Sequence, residues 1–135
     1  MIAIEYAFKG MVCSELNFIQ EFIDEIISEL KEIISDEDII FDTRLIMSEL
    51  IFNGAIHGNK MRLSKSVRLN VSIKGSKMII NVEDEGRGCC YNPDDGIVSD
   101  NCETGRGLIL VAGLSDELLI HKNSVTVIKN IDSSP

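Results

Sequence analysis

Two long runs of apolar residues at helical spacing stand back to back early in the chain, and they constrain the fold more than any other feature. In the first, Leu16, Ile19, Ile23, Ile26, Ile27, Leu30 and Ile34 recur at helical intervals, while Glu15, Glu21, Glu25, Glu29 and Glu32 fill the opposite face. A helix with such a stripe is stable only when the rest of the chain supplies an apolar surface to cover it. Ser14 is placed to cap this helix. The pattern restarts at Ser35-Asp36, and Ile39, Ile40, Leu45, Ile46, Leu50, Phe52 and Ile56 carry a second helix that stops near Gly58. The remaining periodic segments have the period of strands. Ile2 to Phe8 partly alternates and closes at Gly10; Val67 to Lys74 and Met78 to Val82 alternate on either side of Gly75-Ser76, as an antiparallel hairpin does. Gly107 to Leu114 is apolar and helical, and Glu117 to His121 with Ser124 to Ile131 form a last strand pair turning at Lys122-Asn123.

The order strand, helix, helix, hairpin, loop, helix, hairpin predicts an α+β two-layer sandwich, a mixed but mostly antiparallel sheet with three helices on one face. At 135 residues the whole chain, 1–135, is read as a single domain. Folding at this size removes roughly two-thirds of the unfolded surface from water, so no metal or disulfide framework is required. The 13 Lys and Arg against 22 Asp and Glu give a net charge of −9. Binding along a nucleic-acid backbone depends on cations that displace counterions, so no direct nucleic-acid contact is expected, whereas a basic protein partner is allowed. No apolar window reaches the ~18 residues a membrane span needs, and the start lacks a basic region followed by an apolar stretch, so a soluble, cytoplasmic protein is expected. Cys13, Cys89, Cys90 and Cys102 form no CxxC pairs and read as reduced thiols; a redox or metal site on Cys89, Cys90 and Cys102 is the alternative.

Three segments carry candidate chemistry. ELIFNGAIHGN places Glu49, Asn53 and His57 four residues apart, on one side of the second helix near its end. A carboxylate and an amide so placed can accept a proton and hold a hydrated Mg²⁺, although a lone ExxxN also describes an ordinary wet helix face. DEGRG, from Asp84 to Gly88, follows the hairpin. Gly86 and Gly88 permit close approach of a flat ligand, and Asp84 offers an acceptor to an exocyclic amine; a simple turn has the same composition. In TGRGLILVAG, Thr104, Gly105, Arg106 and Gly107 lead into a helix whose free N–H groups suit a phosphate. This segment is neither GxxxxGK[ST] nor GxGxxG, which excludes P-loop and Rossmann sites. Between the second and third segments the periodicity disappears, and residues 89–104 read as a lid.

The three segments in this order and separation resemble the Bergerat-fold ATP-binding domain of the GHKL ATPases, and at this length the anti-sigma-factor serine/threonine kinases in particular, from about Ile4 to Ile131. The resemblance implies ATP and Mg²⁺ as cofactors. It implies Glu49 as general base, Asn53 as Mg²⁺ ligand, and Asp84 as acceptor for the adenine amino group, with Gly86 and Gly88 making room for the base. Thr104, Gly105, Arg106 and Gly107 would surround the phosphates, His57 would face them, and Thr126 would support an adenine-bound water. It further implies a homodimer that binds a sigma factor and phosphorylates a serine on an anti-sigma-factor antagonist protein; the lack of an apolar span adds the expectation of no membrane partner. Two departures stand out. Glu103 occupies the place where such kinases carry an arginine, with Arg106 or Arg87 as possible substitutes, and Lys122-Asn123-Ser124 replaces their glycine-threonine turn. Glu103 favours the alternative of a nucleotide-binding switch module without phosphotransfer.

Overall fold

A computed structural model describes residues 5–86 and 105–131. Five strands, β1 (Glu5–Cys13), β2 (Ser66–Lys74), β3 (Lys77–Glu83), β4 (Glu117–His121) and β5 (Ser124–Asn130), form one sheet in the order β1-β2-β3-β5-β4. Every pairing among them is antiparallel. Helices α1 (Leu16–Lys31), α2 (Glu37–Asn53) and α3 (Gly105–Leu114) cover one sheet face.

The period of two settles which face is covered. Val67, Leu69, Val71 and Ile73 of β2 and Met78, Ile80 and Val82 of β3 are buried, as is Val127 of β5, and the registers Val71↔Ile80 and Ile80↔Val127 put them on the same side. Against them pack Ile19, Ile23, Ile26, Ile27 and Leu30 of α1, the same stripe that the spacing defines, and Ile46, Met47, Leu50 and Ile51 of α2. Each such side chain contributes about 1.5–3 kcal/mol on leaving water.

Local details differ from the sequence expectation where distant contacts intervene. Gly10 does not end β1, which runs through it to Cys13. A Cβ at Gly10 would lie 2.8 Å from Phe8 Cζ, so the glycine makes room for the Phe8 ring, which meets Phe22 of α1 edge-on at 5.7 Å. Ser14 is not the cap of α1. It is fully buried and its Oγ donates to the Lys65 carbonyl at 2.8 Å, while the Glu15 carboxylate next to it accepts from Phe18 N at 2.8 Å. Asp36 caps α2 as expected, accepting from the amides of Asp38 and Ile39. The second helix changes character before Gly58: α2 ends at Asn53, and Gly54–Gly58 form a π-turn closed by Asn59 N–H to the Gly54 carbonyl at 2.8 Å. At the far end of the layer, Lys129 of β5 donates to the carbonyl of Leu114, the last residue of α3, at 2.9 Å and lies 3.4 Å from Asp42 of α2. That cation at a helix C-terminus anchors α3 to both the sheet and α2.

Candidate functional site

Two of the three sequence segments meet at the π-turn. A Cβ on Gly58 would fall 2.3–2.5 Å from the carboxyl group of Asp84, and a Cβ on Gly86 would fall 2.5 Å from the Gly58 carbonyl oxygen. No side chain fits at either position without displacing its neighbour, so the end of the helical segment and the DxG turn form one packing unit. Gly54 approaches the same carboxylate, its Cβ position lying 3.3 Å from Asp84 Cβ.

Asp84 sits just beyond β3, half-buried, and its Oδ1 accepts from Gly86 N at 2.6 Å. Burial pushes its carboxyl above the usual range and the neighbouring Glu83 charge acts in the same direction, against the opposing pull of the Gly86 N–H and Lys65. The main chain here is held from two sides. Asp84 N–H donates to the Asn123 carbonyl at 3.1 Å, and the Asn123 side-chain amide donates back to the Asp84 carbonyl. Glu85 N–H donates to Asn59 Oδ1 at 2.7 Å.

The third segment reaches the second helix. Gly107, in the first turn of α3, lies so near α2 that a Cβ there would be 2.4 Å from Glu49 Oε2 and 3.0 Å from Asn53 Nδ2. Glu49 and Asn53, one helical turn apart in α2, thus face the N-terminal end of α3 together. Asn53 Nδ2 is buried and has no hydrogen-bond partner among the described residues. An orphaned amide costs about 1–3 kcal/mol. Rotating the group by 180° exchanges its nitrogen and oxygen and would aim the oxygen at the same place. A carboxylate, an unsatisfied amide and a glycine backbone at a helix N-terminus fit a polyanion accompanied by a hard cation. Among the described residues no three His, Cys, Asp or Glu side chains gather to hold a metal without such a ligand.

The other sequence candidates fall differently. His57 lies in the π-turn, so the α-helical spacing that would place it in line with Glu49 and Asn53 is broken after Asn53. Thr126 is not brought to the site. It is opposite Asn81 on the face of the sheet away from the helices, where Asn81 Nδ2 donates to its Oγ1 at 2.9 Å; Val125, opposite Val82, turns to the helix side. Gly105 and Arg106 open α3. Gly88, Thr104, Arg87, Glu103, the lid 89–104 and its three cysteines lie outside the described residues; Cys13 is a free thiol. Sequence reasoning missed Asn59 and Asn123. Asparagine after a helical segment or in a hairpin turn is so ordinary that its type gives no sign of a partner.

An α-layer on an antiparallel sheet, with helix-end amide and carboxylate, DxG turn and glycine-led helix converging, is the arrangement of a Bergerat-type nucleotide-binding domain. The profile of the histidine kinase-like ATPase domain matches residues 15–129, and the chain belongs to that family. ATP binding is the activity this membership supports. No curated protein matches the chain closely enough to name a relative. Among the described residues no helix is long and apolar enough to cross a membrane.

Proposed function

We propose that the protein is a cytoplasmic ATP-dependent regulator resembling an anti-sigma factor, with serine-kinase activity toward an antagonist protein. The observation that carries the nucleotide part is the convergence of Glu49, the orphaned Asn53 amide and the Gly107 backbone at one point, with Asp84 held against Gly58 and Gly86 at another. Asp84 would accept the exocyclic amine of adenine while the glycines let the flat ring approach the main chain. At the other end the first-turn amides of α3 would meet the phosphates, and Asn53 would hold Mg²⁺ together with phosphate oxygens and water. A cation held there would supply neutralisation of the charge on the transferred group. Glu49 would take the proton from an incoming serine hydroxyl as its oxygen bonds to the γ-phosphorus and the bond to the β-phosphate bridging oxygen breaks, releasing ADP.

The kinase step, the sigma-factor and antagonist partners and a homodimeric state rest on the family resemblance, and the net charge of −9 supports a partner with a basic face. Glu103, an anion where such kinases have a cation, favours a second reading: a switch that binds ATP or ADP and partner proteins without phosphotransfer. Calorimetric titration of ATP with and without Mg²⁺, combined with phosphate-release measurements, tests both. Binding that weakens on the order of ten-fold or more in Asp84→Asn establishes the nucleotide site. Slow Mg·ATP hydrolysis that falls ~10²–10⁴-fold in Glu49→Gln with binding unchanged supports general-base chemistry. Binding with no hydrolysis in either protein favours the switch, and no binding at millimolar ATP overturns both readings.

A further inference from the structure

We infer that Asn59 and Asn123 are positioning residues that hold the Asp84–Gly86 turn from opposite sides and so set the geometry of the base-recognition end. The inference rests on the nucleotide reading of the site. Asn59 is fully buried, and its side chain joins four parts of the chain: Nδ2 donates to Ser14 Oγ at 3.1 Å and to the Ser66 carbonyl at 3.0 Å, and Oδ1 accepts from Glu85 N at 2.7 Å. Ser14, at the β1–α1 corner, passes the connection on to the Lys65 carbonyl. Glu85 closes the circuit, its carboxylate accepting from Ser66 N at 2.6 Å. A buried polar network of this kind specifies one arrangement when all its members are satisfied.

The backbone beside Asn59 points the same way. Lys60 and Met61 both have φ of 55°, a left-handed conformation that residues with a Cβ rarely adopt. Such conformations persist where the surroundings over-determine them. The Asn59 bonds provide that restraint on one side, and Met61 N–H to the Ala55 carbonyl at 2.8 Å provides it on the other. Asn123 reaches the turn from the β4–β5 hairpin, following Lys122, which is itself left-handed at φ 56°. It engages both the N–H and the carbonyl of Asp84. The hairpin that departs from the usual glycine-threonine turn thereby gains a clamp on the very carboxylate-bearing residue beside it.

This role is distinct from general stability, and amide hydrogen exchange in the nucleotide-free protein separates the two. In Asn59→Ala, exchange at the Glu85 and Gly86 amides should accelerate on the order of ten-fold while amides of the central strands, such as Val71 and Ile80, keep their rates. Asn123→Ala, in a partly exposed turn, removes the side-chain bond to the Asp84 carbonyl and keeps the main-chain carbonyl that accepts from Asp84 N–H; it should accelerate exchange at Glu85 and Gly86 with the same restriction, and it keeps the question decidable where Asn59→Ala does not fold. Each variant should also weaken ATP binding several-fold and narrow the preference for ATP over GTP, because the acceptor for the exocyclic amine is no longer fixed. Equal acceleration in the central strands, or unchanged exchange at residues 84–86, overturns the inference. So does an ATP-to-GTP preference that is the same in both variants as in a wild-type protein that binds ATP. Failure of the unsubstituted protein to bind ATP overturns the nucleotide reading, while the exchange rates still decide the anchoring.

Discussion

The two ends of the site are built on opposite plans. At the Asp84 end each main-chain N–H from Asp84 to Gly86 has a partner within the protein: Asn123, Asn59 and the Asp84 carboxylate itself. At the Glu49 end a buried amide nitrogen has none among the described residues, and the backbone of α3 rests against a carboxylate. A satisfied network fixes geometry before a ligand arrives, whereas unsatisfied groups leave interaction energy to be realised on binding. On the proposed nucleotide reading, the Asp84 end would be a preformed gauge of shape, and the Glu49 end would be where a ligand and its cation complete the protein's own hydrogen bonding.

Alanine at the two glycines tests that contrast most severely. At Gly86 the new Cβ meets main-chain atoms of Gly58, which cannot swing aside; at Gly107 it meets the far end of the Glu49 side chain, which can. Gly86→Ala is expected to destabilise the fold by about 1–3 kcal/mol and to remove ATP binding. Gly107→Ala is expected to stay within about 0.5 kcal/mol of the parent in thermal unfolding, yet to lose hydrolysis because Glu49 is displaced. Equal losses of stability in the two variants would show that both ends are equally rigid.

The phosphate end carries the next effect. Replacing Asn53 by Leu removes the orphaned amide at similar volume, so the unliganded protein should gain about 1 kcal/mol while Mg²⁺ ceases to strengthen ATP binding. Thermal unfolding with and without Mg·ATP reads both quantities: the unliganded transition rises and the ligand-induced shift shrinks. A lower unliganded transition would mean that the amide is already satisfied, and the contrast between the two ends would fail.

Much of this arrangement was legible in the residues because its causes are local. The isoleucine stripe of α1, the alternation in β2 and β3, and Asp36 as a cap all follow from spacing and short-range hydrogen bonding, and β4 falls on Glu117–His121 as read. What escaped was decided by distant partners. Ser14 has the chemistry of a cap but bonds to Lys65, and Gly10 looks like a stop but accommodates Phe8. The π-turn after Asn53 lies in a segment whose apolar spacing is still helical through Ile56, so no periodicity marks it. Thr126 enters the expected site only through the family resemblance, and the alternation of β5 sends it to the opposite face. The nearness of Gly107 to Glu49 and Asn53, and of Gly86 and Asp84 to Gly58, joins segments that the sequence could single out by residue type and spacing, while Asn59 and Asn123 act through bonds that only the folded chain brings together.

The smallest expected effect is a proton. Burial holds the Asp84 carboxyl above its ordinary value in the folded protein, so its protonated form is favoured by folding. The stability this group contributes is fully present below the ordinary carboxylate range and is lost as pH rises through the raised value. Asp84→Asn should therefore match the parent at low pH and become relatively more stable across that window. Adenine works in the other direction: its amine donates most strongly to the ionised carboxylate, so ATP binding should strengthen as pH rises through the same window and release part of a proton within it. Titrations in two buffers of different ionisation enthalpy measure that release, with Asp84→Asn subtracting the protons that come from ATP itself. Equal release from both proteins would place the adenine contact elsewhere and leave the Asp84 turn, for all its anchoring, a structural corner and not a gauge for the base.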